Sequence, residues 1–100
     1  MFFRKSEIEK VLKQYGNTKG TLYLTIYHTY MKRVLPLMTS GKGDAATEAT
    51  NQFIANLKEK YGMPFVMEYN PFFQENMRNV KLQSELEKAG SQYYDGSLFS

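Results

Sequence analysis

The sequence predicts a mainly α-helical fold, a compact bundle of about four helices. Apolar side chains recur at intervals of three and four residues, which is the period of a helix with one buried face. Residues that favour helix starts precede these stretches, and Gly16, Gly62 and Gly90 follow three of them. A chain of 100 residues can bury one core, so we expect a single domain over residues 1–100. The predicted helices span residues 7–15, 18–38, 45–61 and 71–89.

The first and third helices have the clearest boundaries. Ser6 and Glu9 form a capping-box pattern, in which each side chain can bond a free amide of the first turn. Gly16 supplies the left-handed residue that ends this helix. Asp44 is a suitable N-cap for the third helix, and Gly62 ends it.

Residues 21–29 are compatible with a strand as well as with a helix. Their Leu, Ile, Tyr and Thr residues alternate as in a strand. Helical spacing, however, continues past Tyr30, where the alternation ends. We therefore prefer a helix over 18–38, which Pro36 kinks or ends. The alternative is an α+β fold in which residues 21–29 and 64–69 are strands, the second being an edge strand or an extended connector.

The predicted helix 71–89 is apolar on two different faces. Phe73 and Met77 lie on one face of its first half, whereas Leu82 and Leu86 lie nearly opposite in its second half. A helix that packs on one core does not change sides. Either this helix bends near its middle, or its second half contacts the tail or another subunit.

Aromatic residues exceed what the core of a small domain needs. The chain has eight Tyr and seven Phe, and the tail at 91–100 is itself aromatic, so we expect that tail to dock. This surplus favours a non-catalytic protein–protein interaction module or small regulator, which self-associates or docks on a protein partner. The predicted interface comprises Tyr23, Tyr27, Tyr30, Leu82, Leu86, Tyr93, Tyr94, Leu98 and Phe99.

The basic charge of the first half suggests an alternative function, a small nucleic-acid-binding protein. Residues 1–43 carry a net charge of +6, whereas the rest of the chain carries −3. The first two predicted helices, joined around Gly16, also have the arrangement of a helix-turn-helix. The candidate phosphate contacts are Arg4, Lys5, Lys10, Lys13, Lys19, Lys32 and Arg33.

The residue content gives little support to an enzyme or to a metal or cofactor site. His28 is the only histidine, and its position on an apolar face favours a packed, hydrogen-bonded imidazole. Without cysteine there is no thiolate nucleophile and no disulfide, and the acidic residues are scattered. No apolar run is long enough to cross a bilayer, so we expect a cytoplasmic protein without a membrane partner.

Overall fold

A computed structural model describes residues 6–100, and over this range the chain is helical without a strand. The mainly α prediction is confirmed, with five helices rather than about four. The alternative strands at 21–29 and 64–69 are wrong, since both segments are helical. The elements are α1 (Glu7–Tyr15), α2 (Asn17–Thr39), α3 (Gly43–Tyr61), α4 (Met63–Asn76), α5 (Val80–Ala89) and two short 3₁₀ turns, Gly90–Tyr93 and Gly96–Phe99.

Helix α2 is the central element, and the other helices and the tail pack around it. Leu24, Ile26 and Tyr27 point in different directions from the helix axis, yet all three are 0% exposed. Burial on several sides explains why this segment is rich in strand-forming residues but forms a helix, because tertiary packing outweighs local propensity. The helix continues three residues past Pro36 and ends at Thr39.

Single glycines join α1 to α2 and α3 to α4. Gly16 has φ 90° and ψ 162°, and Gly62 has φ 87° and ψ 157°, so the two corners have nearly the same backbone geometry. The amide of Gly16 bonds the Leu12 carbonyl, and that of Gly62 bonds the Lys58 carbonyl, both at 2.9 Å. The positive φ explains the glycine at each corner, and both predicted helix ends are confirmed.

Helix α3 begins earlier than predicted. Its first residue is Gly43, and Lys42 precedes it without a side-chain capping bond. Asp44 is therefore not the N-cap but a first-turn residue, where its negative charge still favours the helix.

Helix α4 replaces the predicted edge strand or connector at 63–69. Pro64 lies in its first turn, where the missing amide costs no helical hydrogen bond. Pro71, predicted to start a helix, lies inside α4 and leaves the Met67 carbonyl without its helical donor. Both residues are exposed, so solvent can bond this carbonyl.

The predicted single helix over 71–89 is also wrong, because the chain breaks between α4 and α5. Asn79 caps the new helix, and its side chain accepts a hydrogen bond from the Leu82 amide at 3.1 Å. The break turns the apolar face of α5 toward α1 and α2. It therefore explains the change of apolar face without a second subunit. Within residues 6–100, no helix is both long enough and apolar enough to cross a membrane.

Candidate protein-binding groove

Of the three α2 tyrosines predicted at an interface, two are core residues. Tyr23 is 2% exposed and Tyr27 is 0% exposed. Their rings lie 5.3 Å and 6.0 Å from the Phe72 ring, within an aromatic cluster that fills the space between α2 and α4. Their prediction as interface residues is wrong, because α4 covers the face of α2 that carries them. Tyr30 is half-buried and remains accessible.

Leu82 and Leu86 are likewise buried, each at 0% exposure. They belong to the same core cluster as Val11 of α1 and Leu24 of α2. Their prediction as interface residues is wrong, since no part of either side chain is available to a partner.

The tail occupies a site on its own domain. Tyr93 and Leu98 are 7% and 1% exposed, while Tyr94 and Phe99 are half-buried. The guanidinium of Arg33 lies over the Phe99 ring at 4.9 Å. The prediction of Tyr93 and Leu98 as partner contacts is therefore wrong, because the core of the same chain buries them.

Polar bonds hold the tail along one side of α3. Asn56 donates to the Leu98 carbonyl at 2.8 Å, and the Lys60 ammonium lies 2.7 Å from the Asp95 carboxylate. The hydrogen bond to Asp95 raises the pKa of Lys60. Burial raises the pKa of Asp95, but the bonds from Lys60 and Ser97 outweigh it and leave that pKa below its ordinary value.

The candidate nucleic-acid contacts that fall within residues 6–100 do not form one basic surface. Lys10 is paired with Glu7 at 2.8 Å, and Lys19 lies 3.9 Å from Glu68. Lys32 follows Lys19 on α2 by thirteen residues, which is about 20 Å along a helix.

The other four candidates differ in their surroundings. Lys13 is exposed on α1. Arg33 contacts the tail, where it also donates to the Tyr94 hydroxyl at 3.3 Å. Arg4 and Lys5 lie outside the described residues. This arrangement does not favour a single phosphate-binding face.

His28 is a structural contact between α2 and the tail. The residue is 3% exposed, and its Nδ1 lies 2.6 Å from the Tyr93 carbonyl, which can only accept. Nδ1 therefore carries a proton, and the buried Nε2 has no hydrogen-bond partner within the described chain. Among these same residues, no three His, Cys, Asp or Glu side chains come together as a metal site.

An apolar groove lies between α3 and α4, where the sequence indicated none. Its volume is about 240 Å³. Tyr30 of α2 is also a lining residue, and Thr50 and Asn70 are among the few polar ones. The apolar walls are formed by Phe53, Ile54, Leu57, Val66, Tyr69 and Phe73. We call this feature the α3–α4 groove.

A second cavity of about 410 Å³ adjoins it, between the end of α2 and the start of α3. The two cavities share Tyr30 and Thr50, and the second extends to Met38 and Gly43. Thr50 donates to the Ala46 carbonyl at 2.8 Å, so the Tyr30 hydroxyl donates to Thr50 across their 3.1 Å contact. Both hydroxyl protons are thus bonded inside the protein. We call the two cavities together the extended groove.

Exposed apolar side chains lie in the lining of the extended groove or within one helical turn of its lining residues. Met63 is 49% exposed and Met67 66% exposed, one turn apart on α4 beside the groove residue Val66. Across the groove on α3, Ile54 is 38% exposed, and Met38 at the far end is 58% exposed. Local sequence could not reveal this surface, because it depends on residues 63–69 being helical and on how α4 meets α3.

The chemistry of the extended groove is suited to binding. Among the residues that the structure describes, its lining contains no carboxylate, imidazole or amine that could act as an acid, a base or a nucleophile. Comparisons with protein-family models, curated proteins and solved structures found no match to this chain. The interpretation of the groove therefore depends on its geometry.

Proposed function

We propose that this chain is a non-catalytic protein-binding domain that recognises a protein partner through the extended groove. The observation that carries the proposal is an apolar groove lined by the exposed Met38 and Ile54, with Met63 and Met67 exposed on the adjoining helix α4. Methionine is flexible and polarisable, so it adapts to an apolar partner surface. Exposed apolar residues that adjoin one concave surface are typical of interaction sites, whereas isolated ones need no explanation.

The two sides of α3 differ in a way that supports this function. Gln52, Asn56 and Lys60 lie on one side and bond the tail. Thr50 and Ile54 lie on the other side and line the groove. The tail thus covers one apolar edge of α3, while the opposite edge stays accessible within the described structure. A cytoplasmic location is part of the proposal, because the cysteine-free chain has no need of an oxidising compartment.

A photo-cross-linking residue at Met67 tests the proposal in the full chain. We expect it to capture a defined protein, which is then purified and titrated against the domain by calorimetry. Changing Ile54 or Met67 to Glu places a charge at the apolar contact and should weaken binding at least about tenfold. Both side chains are partly exposed, so both variants should fold, which circular dichroism checks.

Val80→Glu is the matched control for these variants. Val80 is 73% exposed and lies beside Ser6 and Glu85 at the start of α5, away from the groove. This variant should bind the partner normally. A cross-linker at Met67 that captures nothing beyond what one at Val80 captures would refute the proposal, and so would equal weakening by all three Glu variants.

A further inference from the structure

We infer that the partner segment is an amphipathic helix of about four turns, with an acidic residue at the end that lies over Lys58. The inference rests on the proposed function, since it specifies what the same groove binds. Length, backbone chemistry and charge each contribute to it.

The length of the extended groove matches a short helix. Its lining runs along α3 from Gly43 to Leu57, a distance of about 21 Å at 1.5 Å per residue. A helix of about fourteen residues has this length. A small molecule would fill only one of the two cavities.

The backbone chemistry of the walls favours a helix over an extended peptide. The walls belong to α2, α3 and α4, whose backbone groups, apart from those at helix ends and the Met67 carbonyl, are bonded within each helix. An extended peptide needs donors and acceptors for its own backbone, as at a sheet edge, and these walls offer very few. A helix satisfies its own backbone and can present apolar side chains at every third and fourth position.

Side chains along the rim define the polar contacts of such a helix. Asn51 on α3 and Asn70 on α4 are exposed lining residues, so each can bond a polar group at the edge of the helix. The apolar side chains of the helix would fill the centre, between Ile54 and Phe73.

Lys58 determines which charge on the partner helix is preferred. It lies one turn after Ile54 on the same side of α3, and it is exposed without an ion pair to any residue in the described range. Within the described part of the chain, the lining of the extended groove contains no acidic residue. An acidic residue opposite Lys58 should therefore strengthen binding, by about twofold to fivefold for a surface pair.

A display library provides the test. Fourteen-residue peptides, with large apolar residues at positions 1, 4, 8 and 11 and random residues elsewhere, are selected on the full chain. The Ile54→Glu variant serves for counter-selection. We expect enriched peptides to carry Asp or Glu at one end. The most enriched peptide is then labelled and titrated by fluorescence anisotropy.

Lys58→Glu should weaken binding of this peptide about fivefold. Lys13→Glu is the matched control, because both lysines are exposed, lie in the last turn of a helix and undergo the same charge change. It should change the affinity less than about twofold.

Three results would overturn the inference: no enrichment over Ile54→Glu, enrichment without an acidic end, or equal effects of the two lysine variants. In each case the cross-linking experiment at Met67 shows whether the proposed function fails together with this inference. If the cross-linker captures a protein that binds the domain again after purification, the proposed function stands. The groove then binds a second copy of this chain or an irregular protein surface instead of a helix. A cross-link that captures nothing would refute both.

Discussion

Glu85 of α5 caps the first turn of α1, where the Ser6 hydroxyl donates to its Oε1 at 2.6 Å. The amides of Glu7 and Ile8 donate to the same carboxylate at 2.8 and 3.1 Å. Ser6 also accepts from the Glu9 amide at 3.3 Å, so the predicted Ser6 cap is confirmed. The carboxylate of this cap comes from a distant helix, and it ties the start of α1 to α5.

Removing the Glu85 carboxylate should destabilise the fold. Glu85→Ala leaves two first-turn amides without their acceptor, and we expect a loss of about 1–2 kcal/mol in the free energy of unfolding. Glu87→Ala, at an exposed position on the same helix, should cost less than about 0.5 kcal/mol. Urea unfolding of both variants makes the comparison. Equal losses would show that the Glu85 contacts do not stabilise the protein.

The contribution of Glu85 should depend on pH. Partial burial raises the pKa of Glu85, but the hydrogen bonds from Ser6, Glu7 and Ile8 outweigh it and hold that pKa below its ordinary value of 4.5. A pKa that is lower in the folded state gives stability above the unfolded value, and that stability is lost as the pH falls through the folded value. The wild-type protein should therefore exceed Glu85→Gln in stability at about pH 7 and approach it at about pH 3.

Urea titrations of these two proteins at both pH values measure the effect. Carboxylates remote from Glu85 protonate equally in both proteins, so the difference between them reports Glu85 together with its neighbour Glu7. A difference that stays constant across this range would mean that the charge of Glu85 does not contribute to stability.

Two buried tyrosines should respond in opposite ways to the loss of a hydroxyl. Tyr27 donates to the Asn76 carbonyl at 2.7 Å, whereas the buried Tyr69 hydroxyl has no partner in the described structure. Tyr27→Phe should cost about 1 kcal/mol, because the Asn76 carbonyl loses one of its two donors and keeps only the Asn79 amide. Tyr69→Phe should be neutral or stabilise by up to about 1 kcal/mol, because an unpaired polar group leaves the core.

Urea unfolding of the two Phe variants tests this pair, since the chemical change is the same at both sites. Burial raises the pKa of Tyr69 well above its ordinary value, so its absorbance should change only when the protein unfolds in alkali. A loss of stability in Tyr69→Phe as large as that in Tyr27→Phe would contradict the prediction.

Thr29 should control how firmly the tail is held. Its hydroxyl donates to the Thr25 carbonyl and accepts from the Asp95 amide at 2.9 Å. Thr29→Val removes that acceptor, and we expect the Asp95 amide to exchange about fivefold to tenfold faster with deuterium. Thr25→Val is the control, because the Thr25 hydroxyl bonds only the Thr21 carbonyl of its own helix. Unchanged exchange at Asp95 in the Thr29 variant would contradict the prediction.

Sequence predicted the fold where the signals were local. Ser6, Gly16 and Gly62 determine helix ends through bonds to near neighbours, and those ends were correct. Apart from the start of α3, the errors lie between residues 63 and 79. There, Pro64 predicts an extended segment and Pro71 a helix start, but Pro64 lies in the first turn of α4 and Pro71 on an exposed side inside it, where each is tolerated. Which side of a helix is exposed depends on packing, and local sequence does not contain that information.

The binding surface was harder to predict for the same reason. Leu82 and Leu86 differ little in sequence terms from Ile54 or Met67, since all are apolar residues at helical spacing. Leu82 and Leu86 are buried because the chain breaks before Val80. Ile54 and Met67 are accessible because the single-residue corner at Gly62 sets how α4 meets α3. The hypothesis of an apolar interaction surface remains a proposal, and of the residues predicted for it only Tyr30 lies among the described lining residues of the groove.

The corners at Gly16 and Gly62 are single residues, so each one fixes how the following helix is rotated about its own axis. One inserted residue would turn that helix by about 100°. After Gly62 this would swing Tyr69 and Phe72 out of the aromatic cluster and bring exposed residues such as Glu68 toward it. The longer connection at 40–42 can absorb such a change. Insertions should therefore be tolerated between α2 and α3 but rejected at the two glycine corners.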